Sequence, residues 1–256
     1  MRVTVERMAD VSQFDSPSTA RDYAAARPQY PAELFETLDR LLIGRLDGAL
    51  VLDVAAGTGI ASRQLAERGA RVVALELSAA MLAKLVAGSP GVQAVQGSAH
   101  ELPFAGGIAD LITCAQAWHW MDKPRAVAEA RRVLRPGGLL AIWWNQTVYE
   151  ADWERAHAER IADAAPGWRR FSATEITDDY GQTPGLSPQT VTFAWQRTID
   201  LETYLRYLAS RSYIAQLGDA MPDFLDRERR ALAEQFPDGL VTERFHTILL
   251  AAAEEC

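Results

Sequence analysis

The sequence predicts an α/β fold: a Rossmann-like, doubly wound, mainly parallel sheet of seven strands, with helices on both faces and a helical cover. Three observations predict it. Between residues 49 and 145, apolar bursts that end near glycines or acids alternate with amphipathic stretches. The bursts are continuous rather than alternating, as strands covered on both faces require. The first of them runs straight into a loop containing two glycines.

The elements follow in order. ALVLDVAAGTG reads as a buried strand entering the glycine loop, and IASRQLAERGA as the helix behind it, with a glycine near its end. RVVALEL is a second strand, and SAAMLAKLVAG a second helix with Ser78 as its cap. VQAVQG and IADLITCAQA supply the third and fourth strands. KPRAVAEARRVLRPGG reads as a helix closed by Pro-Gly-Gly, and LLAIWWN as the fifth strand. Beyond Asn145 a polar-faced helix is expected over about 149–165, then a loop rich in Gly, Thr and Pro. QTVTFAWQRTI alternates as a strand, LETYLRYLASRSYIAQL reads as one long amphipathic helix, and RFHTILLAAA as the last strand. Ligands of such sheets bind beyond the carboxyl ends of the strands, which places the chemistry after Asp53, Glu76, Gln96 and Cys114 and around Asn145.

Charge and composition narrow the classes. The net charge of −8 repels phosphate backbones, so no nucleic-acid partner is expected. No run of 18 apolar residues and no N-terminal apolar leader is found, and the two cysteines, Cys114 and Cys256, do not form a secreted framework. The expectation is a reduced, cytoplasmic protein that is not a membrane protein, either a monomer or a homodimer.

Asp53-Val54-Ala55-Ala56-Gly57-Thr58-Gly59 joins the first strand to the first helix, and its glycines let backbone approach a ligand closely. Glu76 ends the next strand, where a carboxylate accepts hydrogen bonds from both hydroxyls of an adenosine ribose. The dinucleotide fingerprint asks for Gly or Ala at position 62; Ser62 stands there. Asp53 beside the loop suits a cofactor carrying an ammonium and a sulfonium better than a pyrophosphate.

VLDVAAGTG, the strand-end Glu76, QGSAHELPF, the CAQAWHW segment and RRVLRPGGLLAIWW occur in that order. In these motifs the chain resembles class I S-adenosylmethionine-dependent methyltransferases. The resemblance is strong over about 20–145 and looser to the C-terminus through FAWQRTIDLETYLRYLASRSY. YAAARPQYP is similar to the small-molecule branch (methyltransferase type 11) that includes trans-aconitate methyltransferases. The resemblance implies one domain over 1–256: an N-terminal helical cover over 1–48, a cofactor-binding core over 49–145, and cover helices with the last two strands over 146–256. It implies S-adenosyl-L-methionine as cofactor and S-adenosyl-L-homocysteine as product. Gly57 and Gly59 would line its methionine part, with Asp53 steering the ammonium directly or through water, and Ala55, Thr58 and Gln116 are further expected cofactor contacts. Glu76 would hold the ribose, Leu77 and Met81 would pack on the adenine, and Ser98 and Ala99 would meet the adenine edge. The family often has an acid where Ser98 stands. Tyr23 and Arg27 would fold over the methionine end, with Arg27 pairing its carboxylate.

Methyl transfer from a sulfonium is an in-line displacement, and a base is needed only where the acceptor must lose a proton. His119, in Gln116-Ala117-Trp118-His119-Trp120, is the expected base, with Tyr23 setting its tautomer or relaying a proton. Alternatively His119 merely bonds a loop carbonyl and Tyr23 is structural. Trp118 and Trp120 would cradle an aromatic acceptor. Trp144, Asn145, Tyr149, Arg211 and Tyr213 are the further expected substrate contacts, with Arg211 and Tyr213 on the covering helix. His157 reads as solvated on its polar helix, His246 as packing in the last strand, and His100 as lying near the adenine end. No metal-ligand spacing is present, so no metal is expected.

An aromatic vestibule with one histidine suits a flat, mostly neutral small-molecule acceptor, and a tricarboxylate would need more arginines than Arg27 and Arg211. The sharpest expectation is C3-methylation of the indole of a tryptophan-derived compound, such as a diketopiperazine, in natural-product biosynthesis; oxygen or nitrogen methylation of a phenol, carboxylate or amine is the alternative. A nicotinamide-dependent oxidoreductase and a non-catalytic ligand-binding protein are the rival classes, the first opposed by Ser62 and Asp53.

Overall fold

The computed structural model describes residues 27–42, 45–165, 168 and 187–253. The helices are α1 (Ala32–Leu41), α2 (Ile60–Ala66), α3 (Ala79–Gly88), α4 (Lys123–Val133), α5 (Asp152–Ala164), α6 (Leu201–Ala209), the short α7 (Ser212–Ala215) and α8 (Met221–Gln235). The strands are β1 (Leu50–Val54), β2 (Arg71–Glu76), β3 (Gln93–Gln96), β4 (Ala109–Ala115), β5 (Leu134–Thr147), β6 (Gln189–Asp200) and β7 (Leu240–Ala253).

These strands form one seven-stranded sheet in the order β3-β2-β1-β4-β5-β7-β6. β1 to β5 pair in parallel, and β7 enters antiparallel against both β5 and β6. This is the mainly parallel, doubly wound sheet predicted from the continuous apolar strands. Its order reverses between β1 and β4, so the crevice at their carboxyl ends is the place for a ligand.

Strand alternation divides the core. Leu139, Ala141 and Trp143 of β5 face α1 and α2, where Leu34, Phe35, Leu38 and Leu65 pack with Val51 and Leu111. Leu140, Ile142 and Trp144 face α4, against Val127, Ala130 and Val133. Both tryptophans are buried, one in each layer. Trp143 receives the edges of Tyr30 and Phe35 at centroid distances of 5.5 and 6.3 Å. Ser78 caps α3 as expected, its Oγ accepting from Met81 N at 3.3 Å.

A third apolar cluster forms the cover, with Ile161 of α5, Tyr204, Leu205 and Leu208 of α6, and Phe224 and Leu232 of α8. Helix α8 is absent from the sequence reading; Pro222 in its first turn and the buried spacing Phe224, Glu228, Leu232 are the signals that mark it. His157, expected in solvent, is only 2% exposed. Its Nδ1 lies 2.6 Å from Glu228 Oε2, and Tyr204 OH lies 2.8 Å from its Nε2. Arg160 Nε donates to the other oxygen of Glu228 at 2.5 Å, so the acid buried between the cover helices is paired.

Two boundaries differ from expectation. Arg135-Pro136-Gly137-Gly138 opens β5 rather than closing α4, because α4 ends at Val133 and Leu134 already pairs with Ala109. The long covering helix is broken after Ala209: Ser210 Oγ turns back to Tyr207 O at 2.7 Å, and Arg211 takes extended backbone before α7. No helix among the described residues is long and apolar enough to cross a membrane.

Phe35 is fully buried against Trp143. Phe35→Ala should cost about 3–5 kcal/mol of unfolding free energy, as for other large-to-small aromatic truncations. Urea denaturation measures it, and a loss below about 1 kcal/mol would mean that α1 does not complete this core.

Candidate active site

The site begins where β1 stops. Ala55 has φ +55° and Gln116, after β4, has φ +62°. These two non-glycine residues hold left-handed backbone at the neighbouring ends of β1 and β4, a conformation that persists only where the surroundings enforce it. Gly57 and Gly59 also have positive φ, for different reasons. A Cβ on Gly57 would meet nothing within 4 Å, whereas one on Gly59 would stand 2.9 Å from Leu85 Cγ and Ser89 Oγ of the α3 region. Gly57 therefore keeps open space for a ligand, and Gly59 lets α3 pack against the start of α2.

Glu76 spans the two loops. Its Oε2 accepts from Gly57 N and its Oε1 from Ser78 N, each at 2.8 Å. A carboxylate has about four acceptor positions, so two remain for ligand hydroxyls.

Asp53 does not face the ligand side. It is fully buried, accepting from Ser62 Oγ at 2.5 Å and from Thr113 Oγ1 at 2.7 Å. Burial raises its pKa to about 6; the two hydroxyls pull it down and the charge of Glu76 pushes it up. The direct contact expected between Asp53 and an ammonium is not available to this buried carboxyl, which instead holds α2 and β4 behind the loop. Ser62, the departure from the dinucleotide pattern, is the residue that donates to it.

In front of the loop lies a cavity of about 590 Å³, counted with its open mouth. It is lined by Ala55, Gly57 and Thr58 of the loop, by Ala115, Gln116 and Asn145 at the ends of β4 and β5, and by Arg27, Tyr30, Tyr207 and Arg211. The entry segment carrying Arg27 is pinned at two points. Gln64 exchanges hydrogen bonds with Tyr30 N and O at 3.0 and 2.9 Å, and Asn145 Nδ2 donates to Gln29 O at 3.0 Å. Arg27 Nη2 reaches Ser210 O at 3.3 Å. Arg211 Nη2 donates to Thr147 Oγ1 at 2.8 Å and to the Tyr207 hydroxyl. Burial raises the Tyr207 phenol above its ordinary pKa, so it stays protonated.

A family model described as a methyltransferase domain matches residues 52–142, from the middle of β1 to β5. An uncharacterized methyltransferase of Mycobacterium bovis is 36% identical over 213 residues, 82% of either chain. This chain belongs to the methyltransferase family. The solved structure of a protein described as a type II methyltransferase from Anaeromyxobacter dehalogenans has the same fold, at 24% identity and a TM-score of 0.73, over 90% of this chain and 98% of that one. Phosphoethanolamine N-methyltransferase 2 of Haemonchus contortus, solved in complex with S-adenosyl-L-methionine, shares the fold at 14% identity and a TM-score of 0.54, over 100% of this chain and 62% of that one. The protein is an S-adenosylmethionine-dependent methyltransferase.

Of the residues singled out from the sequence, Arg27, Ala55, Gly57, Thr58, Gln116, Asn145 and Arg211 meet on this one cavity of the methyltransferase. Glu76 joins it through Gly57. Leu77, 51% exposed, Met81, buried in α3, and Ser98 and Ala99, after β3, do not line this cavity, and Ala99 packs against the α4 layer. Ser98 there folds back on its own loop, its Oγ accepting from His100 N at 3.2 Å.

Other expected contacts lie elsewhere. Trp118 and Trp144 are buried in the α4 layer and act as core. His119 and Trp120 are exposed on the 3₁₀ turn after Gln116, their rings 4.5 Å apart, and neither lines the cavity. Tyr149 and Tyr213 flank Trp168, at 5.9 and 6.0 Å, next to Arg211 rather than on the cavity lining. Tyr23 lies outside the described residues. Tyr30 and Tyr207 are the site residues that sequence reasoning missed. The four-residue step from Tyr207 to Arg211 was the available signal for the second.

Because Asp53 is protonated up to about pH 6 in the folded protein but only to about pH 4 in the unfolded chain, the native state binds more protons between those values. Its contribution to stability therefore falls as pH rises through that window, by about 3 kcal/mol in all at about 1.4 kcal/mol per unit. In urea denaturation of the ligand-free protein from pH 4 to 7, Asp53→Asn should gain on the wild type by about that amount as pH rises. Parallel stability curves would show that Asp53 does not titrate in this range.

Proposed function

We propose that this methyltransferase holds S-adenosyl-L-methionine along the glycine loop and transfers its methyl to a small-molecule acceptor in the same cavity. The observation that carries the reading is that one cavity joins the glycine loop to the Arg27–Tyr207–Arg211 wall.

The residues fit the cofactor. Thr58 Oγ1 is buried at the cavity lining without a hydrogen-bond partner among the described residues, and Gly57 leaves open space beside it. The remaining acceptor positions of Glu76 would take the ribose hydroxyls, and Leu77 and Met81 would cover the adenine beyond it. Arg27 would pair the cofactor carboxylate, with Asp53 holding the loop from behind. When bound, the cofactor supplies an electrophilic methyl on a sulfonium. The chain's own part is alignment: the pinned entry segment and the cover wall exclude water and set the acceptor in line.

For the acceptor, the finer reading is C3-methylation of the indole of a tryptophan-derived compound in natural-product biosynthesis, with His119 as the base. The rings of Tyr30 and Tyr207 on the cavity lining support a flat acceptor. The exposed position of His119 means that this role requires the turn after Gln116 to meet the acceptor. Oxygen or nitrogen methylation of a phenol, carboxylate or amine uses the same cavity without that requirement. Mass spectrometry with the cofactor and a panel of tryptophan diketopiperazines, indoles, phenols, amines and carboxylates decides among them by which compound gains one CH2.

Two variants test the assignment. Glu76→Ala should weaken S-adenosylhomocysteine binding at least about tenfold, the loss of one or two charge-assisted hydrogen bonds, by titration calorimetry. Unchanged affinity would remove the proposed cofactor pose. His119→Ala should slow turnover of an indole acceptor by about a hundredfold or more while homocysteine-form affinity stays constant. Near-normal turnover would exclude His119 as the base.

A further inference from the structure

The cavity carries two guanidinium groups and no carboxylate among its described lining residues, in a chain whose net charge is −8. The cofactor, on the reading above, uses one of them. Arg211 is the other, and its surroundings leave it incomplete. Both of its hydrogen bonds come from Nη2, to Thr147 Oγ1 and to Tyr207. No ion pair joins it to a described carboxylate, and its Nε and Nη1 have no acceptor among the described residues. The Tyr207 oxygen accepts from Arg211, and no described residue accepts its own O–H.

A guanidinium N–H is a strong donor to an oxygen acceptor, and Arg211 brings unbonded N–H groups to the cavity lining. The nearby acid is already spent. Glu243, 2% exposed, pairs with Arg197 at 2.6 Å, and the Arg197 guanidinium lies 4.9 Å from the Tyr207 ring centre. That pair fixes Tyr207 from behind, while Arg211 stands 4.6 Å from the same ring centre. The break of the covering helix at Ser210–Arg211 is what turns this guanidinium onto the cavity.

We propose that the N–H groups of Arg211 and the O–H of Tyr207 form an oxygen anchor for the methyl acceptor, receiving a carboxylate or an amide carbonyl of that molecule. The proposal rests on the methyltransferase reading of the cavity and adds the feature by which the acceptor is recognised. Guanidinium N–H donors and a phenol O–H on adjoining side chains of one cavity suit either chemistry, because both present in-plane lone pairs. An alcohol at the same place offers one rotatable oxygen and no delocalised charge.

The test uses the whole chain saturated with S-adenosylhomocysteine and two matched sets of probes. They are indole-3-acetate, indole-3-acetamide and indole-3-ethanol, and phenylacetate, phenylacetamide and 2-phenylethanol. Binding is read from the shift in Tm with probe concentration. In at least one set, the acid or the amide should bind about tenfold or more tightly than the alcohol. Acid above amide identifies the carboxylate as the recognised group; amide equal or above identifies the carbonyl. Arg211→Gln should abolish the preference while leaving homocysteine-form affinity within about twofold. Should that variant not fold, Arg211→Lys, which keeps charge and loses the fork, and Tyr207→Phe, which loses the O–H, should each reduce the preference severalfold.

Equal binding across both sets, including no binding at all, overturns the proposal, as does a preference that survives Arg211→Gln. A loss of homocysteine-form affinity in that variant also overturns it, by assigning Arg211 to the cofactor. A wild type that does not bind S-adenosylhomocysteine would instead overturn the cofactor reading beneath it.

Discussion

Asp53 sits at the end of β1, where the strand order reverses, and takes a hydroxyl from α2 through Ser62 and another from β4 through Thr113. Three elements that the chain brings together from separate stretches are thereby held around one buried carboxyl. The left-handed backbone at Ala55 and Gln116 lies just beyond, at the ends of β1 and β4. Such conformations need a rigid frame, and the buried hydroxyl clamp supplies it. Glu76 then ties the loop to the start of α3 through Gly57 N and Ser78 N. Burial raises the pKa of Asp53, so part of the folding free energy is spent on holding the loop.

The helical cover is built by different means. α5, α6 and α8 share an apolar cluster; the buried Glu228 is satisfied by His157 and Arg160, and the buried Glu154 of α5 by Arg244. With the cover held rigid in this way, the break after Ala209 presents Tyr207 and Arg211 to the cavity at a defined position. On the proposed reading, the acceptor contacts sit on a helix break beside the Arg197–Glu243 pair, and the cofactor contacts on strand ends.

Much of this was legible in the residues. Continuous apolar strands alternating with amphipathic helices determined a doubly wound parallel sheet, and the glycine loop with Glu76 nineteen residues after Gly57 determined where its ligand side lies. Those signals are local: they need only strand period, loop flexibility and a strand-end acid. Tertiary structure alone decided which polar groups face the ligand. Asp53 looked like a ligand contact until Ser62 and Thr113, nine and sixty residues away, were placed against it. His157 looked solvated until Glu228 arrived 71 residues later in the chain. Trp118 and Trp144 looked like cavity walls, yet the α4 layer buries both, because an aromatic side chain goes to whichever apolar face the packing leaves for it. A sequence carries its own periodicities, but the partner of a buried polar or aromatic group is a matter of distance in space, and that is settled only when the sheet closes against its helices.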